Sequence, residues 1–143
     1  MNSKIIFWGT PKFAELILQG LLEAGINITA VVTQPDKPHG RGSEIKPSAV
    51  KLLATSHKIP VLQPDKLKTE EFILTLKSIA PDLMIVAAYG KIIPKEALDI
   101  PTKGAINVHP SRLPHYRGAS PVSTAILNGE KETAITLILM DEL

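Results

Sequence analysis

Apolar residues fall into two alternating rhythms along the chain. Short, mainly apolar and β-branched runs at residues 5–8, 28–33, 59–62, 105–108 and 134–140 have the length of buried strands. Residues 83–87 are apolar throughout, which predicts a central strand covered on both faces. Between these runs the apolar positions recur every three to four residues. Phe13, Leu16, Ile17, Leu21 and Ala24 define one helix face, with Thr10 expected as N-cap, Pro11 as the first helical position and Gly25 as the stop. Val50, Leu52, Leu53 and Ala54 predict a short helix after Pro47. Phe72, Ile73, Leu76 and Ile79 predict a longer one, begun by Thr69, Glu70 and Glu71 and ended by Pro81. A helical turn is expected at residues 94–98, and a helix at 121–128 capped by Ser120 and stopped at Asn128-Gly129. Residues 34–42 mix three kinds of turn residue with lysine and arginine, and are expected as a long, irregular, basic loop. Strands alternating with helices in this order predict an α/β fold, an open and mostly parallel sheet with helices on both faces.

Composition narrows the picture. With 143 residues, 44% hydrophobic and 21% charged, the chain reads as one globular domain over 1–143, not as a disordered tail or a collagen-like fibre. A chain of this size removes about 70% of its unfolded surface from water, enough for a core without staples. It has no cysteine, hence no disulfide framework, thiolate metal site or cysteine nucleophile. The formal charge of +2 imposes no overall nucleic-acid footprint and leaves room for a local basic loop. The apolar run after Met1-Asn2-Ser3-Lys4 is too short for a signal peptide, and no later stretch reaches about 18 apolar residues, so neither secretion nor a membrane span is expected and the cytoplasm is.

In open α/β sheets ligands bind beyond the C-terminal ends of the strands, which directs attention to residues 9–11, 34–42, 88–90 and 107–118. Asn107 and His109 lie two apart on a strand and leave the same face at its C-terminal end. An amide donor and an imidazole so placed suit acyl transfer through a tetrahedral intermediate, although a single histidine at a strand end is more often a hydrogen-bonded structural residue than a catalyst. Ser111 reads on its own as a turn residue. Pro110, Pro114 and Pro121 stiffen the long loop that follows. Gly9-Thr10-Pro11 opens a helix after a strand, but Pro11 and Phe13 stand where a dinucleotide fingerprint needs glycine, so NAD is disfavoured and Gly9 reads as a tight-turn glycine. Four scattered histidines offer no metal-ligand spacing. Lys37, Arg41 and Lys46 could hold phosphates, with Gly40 and Gly42 supplying backbone freedom; a solvated surface loop is the other reading.

Taken together, Phe7-Trp8-Gly9-Thr10-Pro11, Thr33-Gln34-Pro35-Asp36-Lys37-Pro38, Gly40-Arg41-Gly42, Ala88-Tyr89-Gly90, Asn107-Val108-His109-Pro110-Ser111 and Arg117-Gly118-Ala119-Ser120-Pro121 resemble the methionyl-tRNA formyltransferases. The N-x-H element is similar to that of folate-dependent formyltransferases at large, while the T-Q-P-D-K-P and G-R-G loop narrows the likeness to the tRNA enzymes. The resemblance implies a Rossmann-like formyltransferase fold and transfer of a formyl group from 10-formyltetrahydrofolate to the α-amine of methionyl initiator tRNA, in a monomeric enzyme without a metal. It implies catalytic roles for Asn107 and His109, folate contacts for Tyr89, Gly90, Ser111, Arg112, Leu113 and Pro114, and tRNA contacts for Lys37, Arg41 and Lys46.

Two departures accompany the likeness. Arg112 stands where the family usually has leucine. The family's second aspartate, which completes the Asn/His set, is expected beyond Leu143, since Asp141 matches an earlier, non-catalytic aspartate; the family's C-terminal tRNA-binding barrel domain is also not in this sequence, so the resemblance implies an N-terminal domain incomplete at its C-terminal end. An amino-sugar nucleotide formyltransferase, which would not need the basic loop, and a non-catalytic folate- and tRNA-binding remnant are the alternatives.

Overall fold

The computed structural model describes residues 2–42 and 44–141. Among the described residues five helices and eight strands occur, in the expected alternation except at residues 37–46. Strand β1 (Ile5–Gly9) leads through helix α1 (Lys12–Glu23) to β2 (Ile28–Val32), followed by β3 (Lys37–His39), a 3₁₀ turn (Gly40–Gly42) and β4 (Glu44–Lys46). Then come α2 (Ala49–Ser56), β5 (Val61–Leu62), α3 (Glu70–Ile79), β6 (Leu83–Ala87), α4 (Lys95–Leu98), β7 (Ala105–His109), α5 (Pro121–Leu127) and β8 (Thr136–Met140). The main sheet has the order β5-β2-β1-β6-β7-β8, with β1 and β6 at its centre. All of its pairings are parallel except β7 with β8, which is antiparallel.

Alternation along the strands sends side chains to two separate cores. Ile6 and Trp8 on β1 join Ala30, Val32, Met84, Val86 and Ala105 on the face covered by α3 and α4. Phe7 joins Val31, Ala87 and Val108 on the opposite face, under Ala14 and Leu18 of α1 and Val50 and Ala54 of α2. Asn107 and His109, two and four residues after Ala105, therefore face the α3/α4 side.

Helix ends follow the sequence signals in part. Ser48 caps α2 by accepting from the Lys51 N–H at 3.0 Å, and Thr69 caps α3 by accepting from Phe72 N–H at 3.3 Å. Gly25, with φ +77, stops α1, as the glycine signal predicts. The start of α1 differs from expectation: Pro11 is its N-cap, and the Thr10 hydroxyl, expected there, instead donates to the Tyr89 carbonyl at 2.9 Å. Ser120 likewise precedes α5 without a side-chain cap bond.

The basic segment is not irregular. β3 and β4 form an antiparallel hairpin in which Lys37 pairs with Lys46, Pro38 with Ile45 and His39 with Glu44. Proline is tolerated because each strand of a two-stranded ribbon is an edge strand, in which alternate residues turn their N–H away from the partner. The glycines are spent on the turn at its tip. Among the described residues no helix is long and apolar enough to cross a membrane.

Candidate active site

The order β2-β1-β6 places the chain's reversal of direction between β1 and β6, and the crevice beyond their C-terminal ends is where such sheets bind ligands. Three loops meet there. Thr10 follows β1, Gln34 follows β2, and residues 88–90 follow β6. The Tyr89 carbonyl accepts both the Thr10 hydroxyl and the Gln34 Nε2, each at 2.9 Å. The turn itself is unusual backbone, with Ala88 at φ +48 and Gly90 at φ +93. Glycine suits position 90 twice over, because a side chain would be strained at that φ and its Cβ would run into Gln34 Nε2.

Next to this turn lies a cavity of about 340 Å³ bordered by Ala88, Gly90, Ile93, Asn107, Met140 and Asp141 among others. Asn107 reaches it from β7, whose pairing sets it beside Val86 and Ile138. Among the described residues the Asn107 amide has no hydrogen-bond partner, so its N–H groups are available to a ligand oxygen. His109 shares the face of Asn107 but does not border the cavity. Its Nε2 lies 2.9 Å from the Tyr116 carbonyl, which can only accept, so Nε2 carries the proton and Nδ1 is left as the acceptor. Among the described residues Asn107 is thus unengaged, whereas the His109 ring on the same face is held by a backbone carbonyl. The cause is Tyr116, whose backbone at φ +57 turns a carbonyl toward the ring.

The remaining expected contacts divide. Tyr89 and Gly90 border the cavity, yet the Tyr89 ring lies in the core, 2% exposed and stacked edge-on against Trp8 at 5.0 Å. Burial pushes its phenol up to about 12, so the hydroxyl stays protonated, and neither it nor Trp8 Nε1 has a partner among the described residues. Ser111 is fully buried; its hydroxyl donates to the His115 carbonyl at 2.7 Å, and its own carbonyl accepts from Thr136 at 2.7 Å. Its side chain braces the 110–117 loop from within. Leu113 N–H donates to Thr136 Oγ1 at 3.3 Å, ahead of a cis peptide bond to Pro114. Arg112 points elsewhere, lining a separate hollow of about 260 Å³ with His115, Tyr116, Glu130 and Glu132.

On the other side of Gln34 is a basic hollow of about 440 Å³, bordered by Lys12, Lys37, Lys46 and Ser48 together with Thr10 and Gln34. Lys37 and Lys46 face each other across the hairpin, and Arg41 is exposed in its turn. Lys37 Nζ donates to Gln34 Oε1 at 2.7 Å, and Lys46 lies 3.8 Å from Glu44. The hairpin root is anchored at Asp36, whose carboxylate accepts from Lys51 and Gln63, both at 2.7 Å. The Lys51 ammonium first, and then Gln63, hold that carboxyl below the ordinary aspartate range. Lys12, Gln34 and the Asp36 anchor were not picked out from the sequence. The i, i+3 spacing of Gln34 and Lys37 was the only local sign, since Gln34's other partner is 55 residues away. No group of three or more His, Asp or Glu side chains able to hold a metal occurs among the described residues.

The fold of this open sheet has counterparts among solved formyltransferases. The chain superposes on phosphoribosylglycinamide formyltransferase from Streptococcus pneumoniae with a TM-score of 0.73 at 20% identity, covering 97% of this chain and 74% of that one. A sugar N-formyltransferase from a Shewanella species gives 0.64 at 19% identity, covering 100% and 53%. At these identities the likeness is one of fold. A family model described as formyl transferase matches residues 1–143, and the chain belongs to that family. Among its relatives, methionyl-tRNA formyltransferase of Desulforamulus reducens is 52% identical over 139 residues, or 97% of this chain. That of Ruminiclostridium cellulolyticum is 55% identical over 138 residues, or 96%. The chain spans 44% of the length of each of these two relatives.

Proposed function

We propose that this chain is the formyl-donor domain of a cytoplasmic methionyl-tRNA formyltransferase, in which 10-formyltetrahydrofolate occupies the cleft beside residues 88–93 and the basic hairpin receives the tRNA. The observation that carries the reading is the unengaged Asn107 amide at the edge of the cleft. Identities of 52–55% with proteins of that name support the tRNA substrate over a sugar nucleotide.

The bound folate would supply an activated formyl group. When the methionyl amine attacks the formyl carbon, the carbonyl electron pair moves onto oxygen. Asn107 then donates an N–H to that oxygen, a stabilisation that grows as charge develops and so lowers the barrier rather than merely the binding energy. His109, with Nε2 committed to the Tyr116 carbonyl, offers Nδ1 to the proton the amine must lose. Collapse breaks the bond between the formyl carbon and the folate nitrogen, which takes up a proton. The nucleophile belongs to the substrate, so no cysteine or activated serine is required. Arg41, Lys37 and Lys46 neutralise tRNA phosphates, and Ser111 acts through the loop it braces.

The test is formyl transfer and tetrahydrofolate binding by wild type, Asn107→Ala and Arg41→Ala. Asn107→Ala is expected to lower turnover about 10²–10³-fold with little change in tRNA affinity. Arg41→Ala is expected to weaken tRNA binding and to reduce the salt slope by about one. Absence of any folate binding by the wild type would refute the reading, and an Arg41→Ala protein with unaltered tRNA affinity and salt slope would remove the hairpin from it.

A further inference from the structure

The cleft turn and the basic hairpin are joined by one side chain. Gln34 uses both ends of its amide: Nε2 donates to the Tyr89 carbonyl at 2.9 Å, and Oε1 accepts from Lys37 Nζ at 2.7 Å. The two partners demand the same orientation of the amide, since a carbonyl must meet the NH₂ and an ammonium must meet the oxygen. Gly90, lacking a Cβ, is what lets Nε2 come so close to the turn. Thr10 supplies the second bond to the same carbonyl.

We propose that Gln34 is a positioning residue shared by the two ligand sites, holding the turn that lines the folate cleft while being held in turn by Lys37 of the hairpin. The inference rests on the functional reading above and adds to it a physical link between its two substrates. An ammonium on Oε1 polarises the amide and strengthens donation from Nε2, because hydrogen bonds in series reinforce one another. It also holds the oxygen end of the amide while Nε2 reaches the Tyr89 carbonyl. Drawing Lys37 away to a phosphate loosens the turn, and by reciprocity a folate that tightens the turn favours Lys37 on Gln34. The two ligands therefore oppose each other weakly.

The experiment is a double-mutant cycle read by tetrahydrofolate affinity alone, on the whole chain. Gln34→Ala removes a bond to the turn and is expected to raise the folate Kd about two- to tenfold. Lys37→Met changes an exposed side chain outside the cleft and is expected to raise it about twofold in the wild-type background. In the Gln34→Ala background Lys37→Met is expected to have no further effect, because its influence passes through Gln34. A folate Kd unmoved by Lys37→Met overturns the proposal, as does an equal effect of Lys37→Met in both backgrounds. Should Gln34→Ala fail to fold, Lys37→Met and the folate Kd with and without saturating tRNA decide: a weaker folate complex in both supports the link, and no change in either overturns it. Wild-type protein that binds no tetrahydrofolate refutes the functional reading itself, an outcome distinct from a folate complex that ignores Lys37.

Discussion

Replacing Gly9 by alanine tests how tightly α1 is seated on the centre of the sheet. A Cβ at that position would stand 2.6 Å from the Ala14 Cβ, 2.8 Å from the Ala87 carbonyl oxygen and 2.9 Å from Phe7 Cε1. Carbon atoms prefer about 3.5–4.0 Å, so each contact is short by roughly 1 Å. None of the three neighbours is the loose end of a flexible side chain. Ala14 belongs to α1, Ala87 to β6, and Phe7 is fully buried in β1. Relief requires α1 to lift from β1 and β6, and overpacking of that kind costs about 1–3 kcal/mol, with the upper end expected here. For a chain of this length about 3 kcal/mol corresponds to a fall in Tm of roughly 10 °C. Gly20→Ala is the control, the same change made within α1 itself with nothing within 4 Å of the new Cβ. It should stabilise by about 0.5–1 kcal/mol, raising Tm by roughly 2–3 °C, because only the helix-propensity cost of glycine is removed. Thermal unfolding by circular dichroism measures both. A Gly9→Ala protein melting within about 3 °C of wild type would show that the seating tolerates a methyl group, and the close-approach account of this glycine would be wrong.

Tyr89→Phe removes a buried hydroxyl that has no partner among the described residues while keeping the ring against Trp8, so it should stabilise by about 1 kcal/mol and raise Tm by roughly 3 °C; a lower Tm would mean that the hydroxyl is satisfied. Asp36 contributes to the hairpin anchor with a carboxyl held below the ordinary value of 3.8. Its contribution is therefore full above that value and is lost as pH falls through the lower folded one. Hydrogen exchange should show the amides of residues 37–46 losing protection in acid before those of the central strands. Asp36→Asn should give the same pattern at neutral pH, and hairpin protection that stays flat down to about pH 3 would refute the anchor.

The sequence announces those elements whose cause is local. Residues 83–87 are apolar at every position because the strand is sandwiched between α1 on one face and the Trp8 cluster on the other, and that burial leaves a mark on each residue. The i, i+3, i+4 stripe of α1, the Thr69 start of α3 and the Gly25 stop are likewise decided within a few residues of where they act. The rule that ligands lie beyond strand ends points to the segments around Gly9, Gln34, Tyr89 and Asn107, and the first three meet at the Tyr89 carbonyl.

What stayed hidden depends on partners far along the chain. Thr10 looks like a cap because the sequence shows its hydroxyl beside a helix start, whereas its actual acceptor is a carbonyl 79 residues away. Residues 34–42 look irregular because glycine and proline penalise long strands, and a three-residue ribbon with its proline on an edge escapes the penalty. Gly9 reads as a turn glycine by its neighbours, but the space it saves is between α1 and the Ala87 carbonyl. Gln34 carries no signature because a neutral amide is ordinary at a loop, and only the folded chain reveals that both of its ends are taken. The same reasoning bears on His109. Spacing put it on the same face as Asn107, but a ring nitrogen will take a nearby carbonyl in preference to an empty cleft. The pairing is directional: with Nε2 donating to the Tyr116 carbonyl, Nδ1 is the ring nitrogen left to accept a hydrogen bond or a proton.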